Sequence, residues 1–102
     1  MDRLDAMAVF AAIVEAGSLS AASRRLDMPL ATVSRRLSEL EAHLKTRLVK
    51  RSTRHLALTD AGRDYLDASR RILEQVEAAE RLPASTIAAK TAMASRRSMR
   101  LP

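Results

Sequence analysis

At 102 residues, 47% of them apolar and 19 of those Ala, the chain has material for one small domain with one thin core, and that core cannot also line a deep substrate cavity. The absence of Cys removes disulfides, thiolate metal sites and cysteine nucleophiles together, and two Gly with three Pro argue against a loop-rich all-β domain. The net charge of +6 is unevenly spread, and the longest apolar run, Ala6 to Val14, falls well short of the ~20 residues a membrane span needs.

No positively charged n-region precedes that run, so neither a signal peptide nor a membrane association is expected, and the chain reads as soluble, mostly helical and cytoplasmic. Leu4, Met7, Phe10, Ala11 and Val14 recur at helical spacing and predict the buried stripe of a first helix, widened by Val9 and Ile13. Gly17 suits the left-handed position that ends this helix, and Ser18 suits the N-cap of the next. A short second helix runs to about Leu26, burying Leu19, Ala22, Ser23 and Leu26, and Asp27-Met28-Pro29 breaks it.

The third helix starts near Pro29 or Leu30 and places Val33, Leu37, Leu40 and Leu44 on one stripe. Ala31, Arg35, Ser38 and Ala42 point the opposite way, a small-and-basic face unlike that of a helix looking only at water. Residues 45–58 then hold five cations (Lys45, Arg47, Lys50, Arg51, Arg54) and no acid. Such a block is either the footprint of a polyanion or a solvated charge run. Leu48-Val49 and Leu56-Ala57-Leu58 predict two short strands around a basic tip. Thr59 caps a fourth helix that continues to about Arg81, with Tyr65, Ser69, Ile72, Val76 and Ala79 on one stripe, broadened by Leu66 and Leu73. Residues 83–102 carry four cations, no acid and few large apolar groups, so this tail is expected to be disordered.

Two helices joined by a tight turn, a third with a small-and-basic face and then a basic hairpin form a winged helix-turn-helix. The expected fold is mostly α, with a short β-hairpin wing and a long C-terminal linker helix. A major groove admits one helix, and side chains near its N-terminus reach base edges. Arg35 can grip a guanine edge in two places, Thr32 and Ser34 suit bases or phosphates, and Leu30 or Ala31 can meet a thymine methyl. Arg51 and Arg54 would reach phosphates or the minor groove from the hairpin.

From Leu4 to Tyr65 the chain resembles the N-terminal domain of LysR-type transcriptional regulators. The resemblance rests on Leu4, Phe10, Val14, Glu15, Gly17-Ser18, Ala21-Ala22, Leu26, Thr32-Val33-Ser34-Arg35, Leu40-Glu41, Leu44, Leu48, Arg51, Arg54, Leu58-Thr59 and Ala61-Gly62. It implies a bacterial, nucleoid-associated, sequence-specific regulator whose third helix reads the major groove and whose wing contacts flanking DNA. Its fourth helix pairs subunits, giving a homodimer on double-stranded DNA with an inverted repeat. The candidate DNA contacts are Ser18, Leu30, Ala31, Thr32, Ser34, Arg35, Ser38, Arg51, Thr53 and Arg54, and the candidate dimer contacts are Tyr65, Leu66, Ser69, Ile72, Leu73 and Val76. The corresponding division is a reading domain over 1–58, a linker helix over 59–82 and the tail over 83–102.

The chain departs from the family pattern in places. Leu30-Ala31 stands where a Gln-Pro pair is common, Pro29 where a capping Ser is usual, Lys45 where a Gly normally closes the third helix, and Val49 where Phe is common. The two-lobed effector domain of about 200 residues has no counterpart here, so a small-molecule effector is not expected.

Other features read more plainly. Asp60 fits a helix dipole and Asp67 fits pairing with Arg70 or Arg71, which is preferred over a cation site shared with Asp64. His43 and His55 are too isolated for a metal pair, Met7 and Met28 read as packing residues, and Arg24-Arg25 suits phosphate or water equally. Arg96-Arg97 and Arg100 read as a remnant rather than a DNA arm. No nucleophile or acid–base pair sits in a motif, so no catalytic residue, metal or cofactor is expected. The competing function is an interaction module whose linker helix pairs with a full-length relative to form mixed dimers.

Overall fold

The computed structural model describes residues 1–50 and 55–84. In chain order these form α1 (Arg3–Ala16), α2 (Leu19–Leu26), α3 (Leu30–Leu44), β1 (Val49–Lys50), β2 (Ala57–Leu58) and α4 (Asp60–Glu80). Beyond residue 84 the basic tail lies outside the described residues, as do the expected wing contacts Arg51, Thr53 and Arg54.

Local chemistry sets each helix end. The Asp2 carboxylate accepts from the Asp5 N–H, the Ser18 hydroxyl from the Ala21 N–H and the Thr59 hydroxyl from the Gly62 N–H, so three of the four helices start on a side-chain cap. Pro29 opens α3 without one. Gly17 closes α1 at φ 87°, a conformation that costs Gly little. The other two left-handed caps, Asp27 at φ 53° and Lys45 at φ 55°, are not Gly. Lys45 thus adopts the left-handed geometry for which the family usually supplies a Gly, and it carries a Cβ there at a cost of about 1 kcal/mol.

The core gathers Val9, Phe10, Ala11 and Ile13 of α1, Ala22 of α2, Val33, Leu37 and Leu40 of α3, Leu48 and Val49 at the wing base, and Leu66 of α4. Phe10 stacks on Tyr65 with centroids 5.6 Å apart at a tilt of 59°. The first turns of α4 therefore belong to the same core as the residues before them, and packing draws no boundary at 58/59.

Two expectations shift. The buried face of α1 holds Phe10 and Ala11 as expected, with Val14 packed against it, but it turns toward Val9 and Ile13 and away from Leu4 and Met7. Leu4 is 44% exposed in the first turn, and Met7 is half-buried outside the core cluster. The first strand is Val49–Lys50, not Leu48-Val49, paired antiparallel as Val49↔Leu58 and Lys50↔Ala57. Leu48 stands just before the ladder, its N–H held by the Glu41 carboxylate and its carbonyl accepting from the Thr59 N–H beyond the second strand.

Candidate nucleic-acid interface

The turn between α2 and α3 brings the N-termini of both helices to one side. The Ser23 hydroxyl donates to the Met28 carbonyl, and the Met28 N–H donates to the Ser23 carbonyl, tying the end of α2 to the approach to α3. Ser18, half-buried, spends its hydroxyl on capping α2. Ser18, Leu30 and Ser34 line one groove, and Lys50 and His55 at the wing base close its other side.

Along α3, Ala31, Arg35, Ser38 and Ala42 are exposed, as the sequence pattern predicts, and Thr32 and Ser34 are half-buried. Leu30 is 48% exposed at the helix start, a large apolar side chain facing water without core cover. Arg36 turns away from this face and pairs with Asp5 of α1. Arg35 pairs with Glu39 one turn on, Nη1 to Oε1 at 3.1 Å. Glu39 was not among the sequence-selected residues, although its i,i+4 spacing from Arg35 marks it.

The wing is anchored by contacts that no local pattern marks. Glu41, 7% exposed, accepts through Oε2 from the Leu48 N–H at 2.8 Å and from the Val49 N–H at 3.3 Å. The Leu48 carbonyl accepts from the Thr59 N–H at 3.0 Å, and the Thr59 hydroxyl donates to the Arg47 carbonyl at 2.6 Å. Gly62 presses so closely that a Cβ there would stand 2.0 Å from the Leu48 carbonyl oxygen. On the other strand, the Leu56 N–H reaches the Gly17 carbonyl at 3.4 Å, tying the wing to the turn before α2.

The α4 residues divide. Leu66 and Ser69 are buried by their own chain at 5% and 0% exposure, and Tyr65 and Leu73 pack against the core. Ile72 and Val76 are half-buried beyond that cluster. The Ser69 hydroxyl, fully enclosed, makes no hydrogen bond of acceptable geometry. Burial pushes the Tyr65 hydroxyl above its ordinary pKa, and the nearby Ser69 hydroxyl pulls the other way. Among the described residues no group of acidic, His or Cys side chains could hold a metal ion, and no helix is long and apolar enough to cross a membrane.

Residues 4–63 match the family model for bacterial regulatory helix-turn-helix proteins of the lysR family. The chain is similar to the HTH-type transcriptional activator AaeR of Escherichia coli (strain K12), at 47% identity over 77 residues, which cover 76% of this chain and 25% of that protein. The chain thus spans about a quarter of the length of the curated relatives it matches. The crystal structure of full-length CbnR complexed with its target DNA superposes with a TM-score of 0.71 at 36% identity, over 78% of this chain and 27% of CbnR. The BenM DNA-binding domain in its complex with catB site 1 DNA shares the fold at a TM-score of 0.72 and 24% identity, over 93% of this chain and 97% of that one. With its matched residues, its relatives and its winged helix in agreement, the chain belongs to the LysR family of bacterial helix-turn-helix regulators, and its fold is that of their DNA-binding domain.

Proposed function

We propose that this chain is a sequence-specific double-stranded DNA reader of a LysR-type transcriptional regulator, acting as a pair of copies on an inverted repeat. The observation that carries the reading is the exposed face of α3. Small and polar residues surround Arg35 there, beside the N-terminus of α2 and the base of a cationic wing. A helix presenting small side chains can enter a major groove closely, and Arg35 can then meet a guanine edge with two donors. Leu30, Ala31, Thr32, Ser34 and Ser38 offer apolar and hydroxyl contacts around it. Ser18 at the start of α2, with Arg51, Thr53 and Arg54 on the wing, would meet phosphate and flanking DNA.

Residues 1–58 serve as the reader and 59–82 as the linker through which copies pair. Ile72 and Val76, apolar and outside the chain's own core, support the pairing face together with the outer edges of Tyr65 and Leu73. The reading places the protein on the bacterial nucleoid in the cytoplasm, with no catalytic step.

The test begins by selecting duplexes from a random pool with the 102-residue chain. Arg35→Ala should then cost about 1–3 kcal/mol on the selected duplex and much less on random duplex. Equal losses on both would make Arg35 a phosphate contact, and a pool without enrichment would overturn sequence-specific reading. Replacing Arg51 or Arg54 should weaken all duplexes alike and flatten the salt dependence by about one unit. In sedimentation, the wild-type chain should dimerise at high concentration, and an Ile72→Asp, Val76→Asp double variant should not.

A further inference from the structure

The pair between Arg35 and Glu39 sits on the face of α3 assigned to DNA, and it is built from two well-exposed side chains, 63% and 52% accessible, at 3.1 Å. An exposed i,i+4 pair adds little to a helix, so its effect on the fold is small. Its effect on a DNA contact is larger, because a carboxylate facing a groove lies in the field of the phosphates.

We propose that Glu39 is a positioning residue for base discrimination: its carboxylate orients the Arg35 guanidinium toward a base edge and withholds it from phosphate. The inference rests on the reading of α3 as the groove helix and of Arg35 as its base reader. A guanidinium carries five donors in a planar fork, so one edge can stay on the carboxylate while the rest meets a base. In that arrangement the charge of Glu39 remains neutralised. When Arg35 swings to a phosphate, Glu39 is left unmatched against the backbone charge. The penalty therefore falls on the nonspecific mode, and the difference between modes is specificity.

The test compares Glu39→Gln, Arg35→Ala and the double variant of the whole chain, on the duplex selected by the wild type and on random-sequence duplex of equal length, over a range of salt. Glu39→Gln should raise affinity for random duplex about tenfold and change the selected duplex less than about twofold, and it should steepen the salt slope on random duplex by about one unit. In the Arg35→Ala background, where the carboxylate has lost its partner, the same substitution should raise both affinities alike and leave their ratio unchanged. If Glu39→Gln raises both affinities equally while Arg35 is present, the carboxylate only repels DNA and the proposal is overturned. If Arg35→Ala lowers the ratio between the two duplexes but Glu39→Gln leaves it unchanged, the positioning role alone fails. If Arg35→Ala leaves that ratio intact, the reading of Arg35 itself fails, and the role of Glu39 with it.

Discussion

Glu41→Ala should be among the most damaging single substitutions in the chain, although it touches no part of the DNA-facing surface. The carboxylate is 7% exposed and accepts two backbone N–H groups, those of Leu48 and Val49, which are themselves 0% and 4% exposed. A hydrogen bond to a charged acceptor is worth about 1.5–3 kcal/mol, and the bond to Val49, at 3.3 Å, belongs at the low end. Part of the sum is returned because Ala no longer requires a carboxylate to be desolvated. The expected net loss is about 2–4 kcal/mol, a large fraction of the ~5–10 kcal/mol such a domain has. For a domain of this size that lowers Tm by roughly 10–25 °C. Glu41→Gln keeps one acceptor oxygen and should lose about half as much. Glu39→Ala, an exposed change on the same helix, should stay within about 0.5 kcal/mol of the wild type. Thermal and urea unfolding followed by circular dichroism measures all three, and hydrogen exchange should show faster exchange at the Leu48 and Val49 amides in the Ala variant. A Glu41→Ala chain as stable as Glu39→Ala would refute the anchoring argument.

Gly62→Ala would drive a Cβ into the Leu48 carbonyl, 2.0 Å away, and since both partners are backbone the expected loss is about 3 kcal/mol in urea unfolding. Ser69→Ala removes an enclosed hydroxyl that makes no well-formed hydrogen bond and places a better helix former, so stability should hold or rise by up to about 1 kcal/mol; a clear fall would mean that its interaction with the Tyr65 hydroxyl is a hydrogen bond. Lys45→Gly relieves a left-handed residue at φ 55° and should add about 1 kcal/mol by thermal unfolding, while weakening DNA binding through the lost cation. Because burial raises the Tyr65 pKa, the unfolded chain gives up that proton first. Stability is therefore unaffected below pH ~10 and falls as pH rises above it, and Tyr65→Phe should abolish that fall.

The helices differed in how well their sequences marked their faces. In α2 and α3 polar residues alternate with apolar ones, so Ala22, Val33, Leu37 and Leu40 could be placed inward and Ala31, Arg35 and Ser38 outward from spacing alone. In α1 the nine apolar residues from Ala6 to Val14 go more than twice around the helix, and no polar residue marks which side is wet. Several stripes fit such a run equally well. Packing against α2, α3 and α4 selects Val9, Phe10 and Ile13, and Leu4 is left outside in the first turn. The strand shift at Leu48 has a similar origin. Its sequence suits a strand, but its place is set by bonds to Glu41 and Thr59, and periodicity carries no record of such bonds.

The same distinction runs through the candidate site. What α3 exposes is set by local helical geometry and was legible for Ala31, Arg35 and Ser38, whereas Glu39 went unread although its spacing from Arg35 marks the pair. How α3 is held relative to the wing and to α4 is set by tertiary contacts that converge on Leu48. Glu41 takes its N–H, Thr59 donates to its carbonyl and Gly62 closes against that same carbonyl. Leu48 thus joins the end of the reading helix, the first strand of the wing and the first turn of the linker helix. A pair of copies meeting along α4 would inherit its separation of reading helices from this junction, and in a two-fold dimer that separation sets the spacing of half-sites. On the proposed reading, the residues of α3 would govern which bases are read, and the junction at Leu48 would govern how far apart.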